Sequence, residues 1–181
     1  YTGEQRRRLE EARGSEATVP IIRPRDVGRR GSRPGGEQLT WKFEARDVRD
    51  FAWAASQAFI LDAASWNDIL VMSAYPHEAL GDEAEPGWEQ ATAYARHAVS
   101  HYAIRWRPYP YPVALNVAGI VTGAAHPMIV FCDAATRGQA LFGATDHEIS
   151  HMWFPMLVGS DARRHAWMDE GLTTFMNYYS H

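Results

Sequence analysis

Apolar and polar positions alternate with period two near residue 40, where Leu39, Trp41, Phe43 and Ala45 share one side and Thr40, Lys42 and Glu44 the other. Successive side chains of an extended chain point to opposite faces, so this pattern predicts a sheet strand. Aromatic and aliphatic segments at residues 51–53 and 58–61, and the apolar run at residues 69–72, predict further strands. The period then changes. Trp88, Ala91, Ala95, Ala98 and Tyr102 recur three and four residues apart, which puts them on one face of a helix. Pro108, Pro110 and Pro112 impose a rigid bend. Beyond it, residues 113–121 and 128–132 predict two strands, with residues 123–127 between them. Two helices close the pattern. One covers residues 141–153 and ends at Pro155; the other starts near Asp169 and carries Leu172, Phe175, Met176 and Tyr179 as an apolar stripe.

Composition narrows the classes of protein. The chain has 181 residues, 46% of them hydrophobic and 22% charged, which is ordinary globular usage and enough length to bury a core without disulfide or metal staples. No apolar run approaches the roughly 18 residues of a membrane span, so no span is expected. The net charge of −4 argues against general nucleic-acid binding. Charge is uneven: residues 1–40 hold nine Arg and six acidic residues, a net +3, and residues 41–181 a net −7. In that head Arg6, Arg7, Arg8, Glu10 and Glu11 predict a short solvated helix, and residues 28–36, with four glycines and a proline, predict a loop. No charged leader with an apolar continuation opens the chain, and Tyr1 stands where an initiator Met is usual, as expected of a processed or truncated piece. The compartment stays open. Cys132 is the single cysteine, so an intrachain disulfide and a Cys-rich zinc site are excluded and any metal site must use His and carboxylates.

The chemistry concentrates at His147-Glu148-Ile149-Ser150-His151. Residues four apart on a helix lie one above the other, so both imidazoles can face one metal ion while the intervening Glu reaches toward a water beside it. A shuffled chain of this composition contains about 0.02 copies of such a pattern. A catalytic zinc site takes a third protein ligand and keeps a position open. Glu170, at the start of the next predicted helix, is a candidate for it. His97 and His101 are also four apart, but no Glu follows the first, and they read as a polar or packed pair. Cys132, at the end of an apolar strand, reads as a small buried hydrophobe, and His77, His165 and His181 as surface residues.

The spacing of His147, Glu148 and His151, followed by eighteen residues and then Glu170, resembles the signature of gluzincin zinc metallopeptidases of the membrane-alanyl-aminopeptidase type. Met152, Trp153 and Phe154 after the second His, and the Trp167-Met168-Asp169-Glu170-Gly171 block, resemble that family's flanks. Residues 41–54 look like the end of its amino-terminal β-domain, and Tyr109-Pro110-Tyr111 like its approach to the substrate strand, with Arg107 in place of the usual Gly. About 140 residues, from Leu39 onward, follow that outline. The resemblance implies an α+β fold: residues 1–65 an Arg/Gly-rich head with the last strands of a β-rich domain, and residues 66–181 the amino-terminal part of a thermolysin-like catalytic domain. It implies one Zn2+ held by His147, His151 and Glu170, Glu148 as general base in peptide hydrolysis, and Asp146 and Asp169 as hydrogen-bond partners that orient the imidazoles. A peptide substrate would pair with Gly123, Ala124 and Ala125, and His126 would touch its end.

Two departures bear on activity. The family's substrate strand carries a Glu that binds the free amino terminus, and aligned on Pro127 its place is taken by Ala125, with Ala124 where a Met belongs. The family's Tyr that stabilises the tetrahedral intermediate falls several dozen residues beyond the third ligand, whereas Tyr178 and Tyr179 lie on that ligand's own helix and read as core or rim. The remainder of a parent catalytic domain would supply it. Three functions follow: an aminopeptidase, a zinc endopeptidase on the same scaffold, or a catalytically impaired zinc-binding fragment with a structural or partner-binding role.

Overall fold

The computed structural model describes residues 1–29, 38, 40–121 and 123–180. The chain begins with helix α1 (Gly3–Arg13), entered through a reciprocal cap. Gln5 N donates to Thr2 Oγ1 (3.2 Å) and Thr2 N to Gln5 Oε1 (2.8 Å), which satisfies two of the amides a helix start leaves without partners. The predicted solvated helix is thus present, but one side of it is packed. Ala12 is buried against strand β1 (Val19–Ile22), and the buried Arg8 donates to Ile21 O (3.0 Å) while pairing with Glu4 and Asp26. Strand β1 escaped the sequence pattern because it is four residues long and contains Pro20, which an edge strand tolerates.

Strands β2 (Ile60–Trp66) and β3 (Ile69–Tyr75) form an antiparallel hairpin in full register, turned by Asn67 and Asp68, with Asn67 at φ +50°. Asn adopts the left-handed region at little cost, which is why it suits this two-residue connection. Helix α2 (Ala91–Arg105) returns the chain to strand β4 (Val113–Gly119), parallel to β3; strand β6 (Ile129–Asp133) then lies parallel to β4. The short strand β5 (Ala124–His126) pairs antiparallel with β6 through a turn at Pro127 and Met128. Proline at the first central position and the positive φ of Met128 (+69°) are the requirements of a type II turn. Helices α3 (Gly138–Ser150) and α4 (Glu170–Asn177) complete the chain. The order across the six-stranded sheet is β1-β2-β3-β4-β6-β5, so β5 occupies one edge. Among the described residues no helix is long and apolar enough to cross a membrane.

Period-two alternation divides the sheet into two faces. Leu61, Ala63, Leu70, Met72, Val117 and Ile129 pack with Ala12 and Ile21 on the α1 side. Val71, Ala114 and Val130 pack on the other side with Ala95, Ala98, Val99 and Tyr102 of α2 and Ile149 of α3. Polar groups also lie on that second face. Asn116 Nδ2 donates to Thr145 Oγ1 of α3 (2.9 Å), and Tyr75 donates to the buried Asp62. Burial pushes the Asp62 carboxyl up to about 6, against the lowering effect of the Tyr75 bond.

Several expectations need correction. Residues 40–46 and 51–53 form no strands, and Trp41 (60% exposed), Phe43, Phe51 and Trp53 (65%) lie on the surface. Alternation gives a segment two faces but no partner for its backbone amides, and without a neighbouring strand the ladder does not form. Leu39 and most of the Gly-rich loop lie outside the described residues. A division at residue 65/66 falls inside β2, whose whole length pairs with β3 in the same sheet. The helix expected to run to Trp153 leaves α-geometry after Ser150, and a wide turn, Met152–Leu157, carries Pro155. Only part of the α4 stripe is buried: Met176 is in the core, whereas Phe175 and Tyr179 meet Trp106 at tilted and edge-on angles at the surface.

Candidate metal centre and cleft

Helix α3 brings His147, Glu148 and His151 to its end, and the first residue of α4, Glu170, comes over them. The His147 and His151 rings are 4.9 Å apart and nearly perpendicular. Glu170 Oε2 lies 3.2 Å from His147 Nε2 and 3.7 Å from His151 Nε2, and one ligand atom from each of the three residues lies within 4.8 Å of the others. Ligands about 2.0–2.1 Å from a tetrahedral zinc ion stand roughly 3.3 Å apart, close to the two separations of Glu170 Oε2 from the imidazoles.

The far nitrogens of both rings are occupied, which leaves the Nε2 atoms to face Glu170. His147 Nδ1 is 2.9 Å from Asn177 Oδ1. Asn177 in turn donates from Nδ2 to Tyr102 OH (2.8 Å), Asp146 Oδ2 (3.1 Å) and Ser150 Oγ (3.2 Å). Those donations fix the amide so that its oxygen points at His147 and selects the Nδ1–H tautomer. His151 Nδ1 is 2.9 Å from the Phe154 carbonyl, 2.8 Å from Asp169 Oδ1 and 3.3 Å from Thr173 Oγ1, more neighbours than one N–H can serve. Asp169 therefore touches its histidine directly. Asp146 is fully buried, accepts from Tyr102 OH (2.5 Å), Ser180 Oγ (2.7 Å) and Asn177 Nδ2 (3.1 Å), and is linked to His147 through Asn177. Asn177 was missed in the sequence, although Glu170, Thr173 and Asn177 at positions i, i+3 and i+7 mark a polar stripe on α4.

Glu148 is 8% exposed and lies beside Gly123. A β-carbon on Gly123 would stand 2.6 Å from Glu148 Oε1, so with any larger residue there the carboxylate would have to shift from its present place. Burial pushes the Glu148 carboxyl up; His151 and His147 pull it down, and Glu170 and Asp169 push it up again. A cleft of about 140 Å³ joins these groups, lined by Gly123, Ala124 and Ala125 on one wall, Pro155 and Met156 on the other, and Glu148, His151, Asp169 and Glu170 at its base. Ala125 presents only a methyl group. His126, at the end of β5, pairs with Asp50 (3.1 Å).

The remaining candidates lie elsewhere. His97 and His101 stack on α2, and His97 Nε2 is 3.3 Å from Ser180 Oγ. Cys132 is fully buried, and burial together with the charge of Glu148 pushes its thiol up to about 12. Tyr178 and Tyr179 stand at the far end of α4, away from the cleft walls, and His181 is outside the described residues. Under the centre, Tyr109 and Tyr102 pack edge-on against Trp153, whose Nε1 donates to Arg107 O (2.8 Å). Only the backbone of Arg107 is used there, so a side chain in place of Gly is accommodated.

No family model matches the chain. It is similar to Aminopeptidase 2, mitochondrial, from Saccharomyces cerevisiae, with 33% identity over 86 aligned residues, 40% of this chain and 9% of that protein's length. Among solved structures it is similar to a point variant of an M1 zinc metallopeptidase from Deinococcus radiodurans, with a TM-score of 0.44 and 17% identity over 60% of this chain and 24% of the other. The chain thus spans a small part of both.

Proposed function

We propose that this chain carries the zinc-binding part of a peptidase of the gluzincin type, most like an aminopeptidase. The observation that carries the reading is the convergence of His147, His151 and Glu170 beside a buried glutamate at the base of an open-edged cleft. The similarity to an aminopeptidase over 86 residues supports the same class. His147, His151 and Glu170 would hold the zinc ion, which would supply Lewis-acid activation of water and carbonyl at neutral pH. The chain's own groups then have separable tasks. The backbone of β5, at the edge of the sheet, aligns an extended peptide. Glu148, whose elevated carboxyl suits proton exchange, takes a proton from the attacking water and returns it to the leaving amine. Asn177 and Asp169 hold the two imidazoles.

A zinc endopeptidase is the second reading, favoured by the methyl group at Ala125, which offers nothing to a free ammonium. The test is zinc-loaded chain incubated with a peptide mixture and analysed by mass spectrometry, with Glu148→Gln as control. Glu148-dependent cleavage is expected, and the fragment ends separate the two readings. Stoichiometric zinc with no cleavage beyond the Glu148→Gln control overturns both and leaves a structural or partner-binding role.

A further inference from the structure

The irregular segment before β2 links the end of β5 to Pro155 of the cleft lining. Asp50 Oδ1 is 3.1 Å from His126 Nδ1, at the end of the β5 wall. The preceding residue, Arg49, donates from Nη1 to the carbonyl of Pro155 (3.3 Å), on the opposite wall. Val48 anchors the same segment by packing on the cluster that contains Trp153 and Ile149. Three consecutive residues therefore contact the core, the end of β5 and Pro155 beside the site. The positive charge of Arg49 also acts on Asp169, which lines the cleft. An extended peptide lying along β5 rises about 3.3 Å per residue, so it meets this segment within a few residues of the metal centre.

We infer that residues 48–50 form a strap that stops the cleft at one end, so that a bound peptide can extend past the centre in one direction only. This rests on the peptidase reading and deepens it: the strap, and not a carboxylate at position 125, confines the site to a chain terminus. Arg49 and Asp50 are then specificity-determining residues, acting by blocking the path and not by touching the scissile bond.

The test uses zinc-loaded chain and two series of chelating peptides, one with a hydroxamate at the carboxyl terminus and one with it at the amino terminus, each with one or four residues attached. Binding is measured by calorimetry. Extension should weaken one series at least tenfold and leave the other unchanged, and the penalty should shrink to under threefold in Arg49→Ala/Asp50→Ala, with His126→Ala as an independent release of the same strap. Zinc content and thermal midpoint confirm that the variants are folded. Equal tolerance of extension in both series overturns the strap and leaves the peptidase reading intact, as does a penalty that persists in both variants. Failure of every compound to bind zinc-loaded chain overturns the strap and the peptidase reading together.

Discussion

Replacing Gly123 with alanine places a methyl group 2.6 Å from Glu148 Oε1 and 3.5 Å from its Cδ. Normal contact distances begin near 3.5 Å, so the carboxylate must retreat by roughly 1 Å. The atom that yields is the end of a flexible side chain, and the stability cost should stay near about 1 kcal/mol, the low end for overpacking. The catalytic cost should be much larger, because a displacement of about 1 Å of a reacting group costs on the order of 10²-fold in rate. The assay is kcat/KM on a cleaved peptide, with zinc content and thermal midpoint measured on the same preparations. Gly123→Ala should keep its zinc, melt within a few degrees of the parent and lose about 10²-fold in activity. In a Glu148→Gln background the same methyl group should cost little more, since the group it displaces no longer acts. Full activity of Gly123→Ala, or a loss that simply multiplies with that of Glu148→Gln, would refute the argument that this glycine exists to seat the carboxylate.

Further outcomes follow from the hydrogen bonds. Asn177→Ala removes the acceptor of His147 Nδ1 and should weaken zinc binding by about 10- to 100-fold, measured by chelator competition; unchanged affinity would show that the ring is held by packing alone. Asp62, whose folded carboxyl is pushed up to about 6, holds its proton to higher pH than in the unfolded chain, where the value is about 3.9. Its contribution to stability is therefore complete below about pH 4 and lost as pH rises toward 6, by about 3 kcal/mol at 1.36 kcal/mol per unit. Relative to Asp62→Asn, the parent should lose that margin between pH 4 and 7 in denaturant titrations, and parallel stability curves would contradict it.

The parts of this molecule legible in its sequence are those whose pattern is local. The stripe from Ala91 to Tyr102 becomes α2, with Trp88 in a short helical turn just before it, and the apolar runs at residues 69–72 and 128–132 lie within or overlap β3 and β6. The pairing of His147 with His151 was legible because four residues on one helix fix their positions almost without reference to the rest of the chain, whereas Glu170 was singled out by the resemblance of the spacing and flanks to the gluzincin signature. What depended on partners was not. The alternation of Trp41 and Phe43 has the form of a strand, but no neighbouring strand meets it. Val19–Ile22 has a weak strand pattern and is a strand because β2 lies beside it. Asp146, which the resemblance implied as a hydrogen-bond partner orienting an imidazole, is linked to His147 through Asn177, since adjacent helical residues point about 100° apart. Asn177, thirty residues away in sequence, makes the contact. The strap at Arg49 and Asp50 likewise has no local signature: its meaning comes from Pro155 and His126, 106 and 76 residues further on.

The central claim, that His147, His151 and Glu170 form one zinc site with Glu148 beside it but not in it, is tested most directly by zinc analysis of four proteins after dialysis against a competing chelator. The parent chain and Glu148→Gln should each retain close to one zinc per molecule, and His147→Ala and Glu170→Ala should each retain far less. Full retention of zinc by both ligand variants, or its loss in Glu148→Gln alone, would contradict the account.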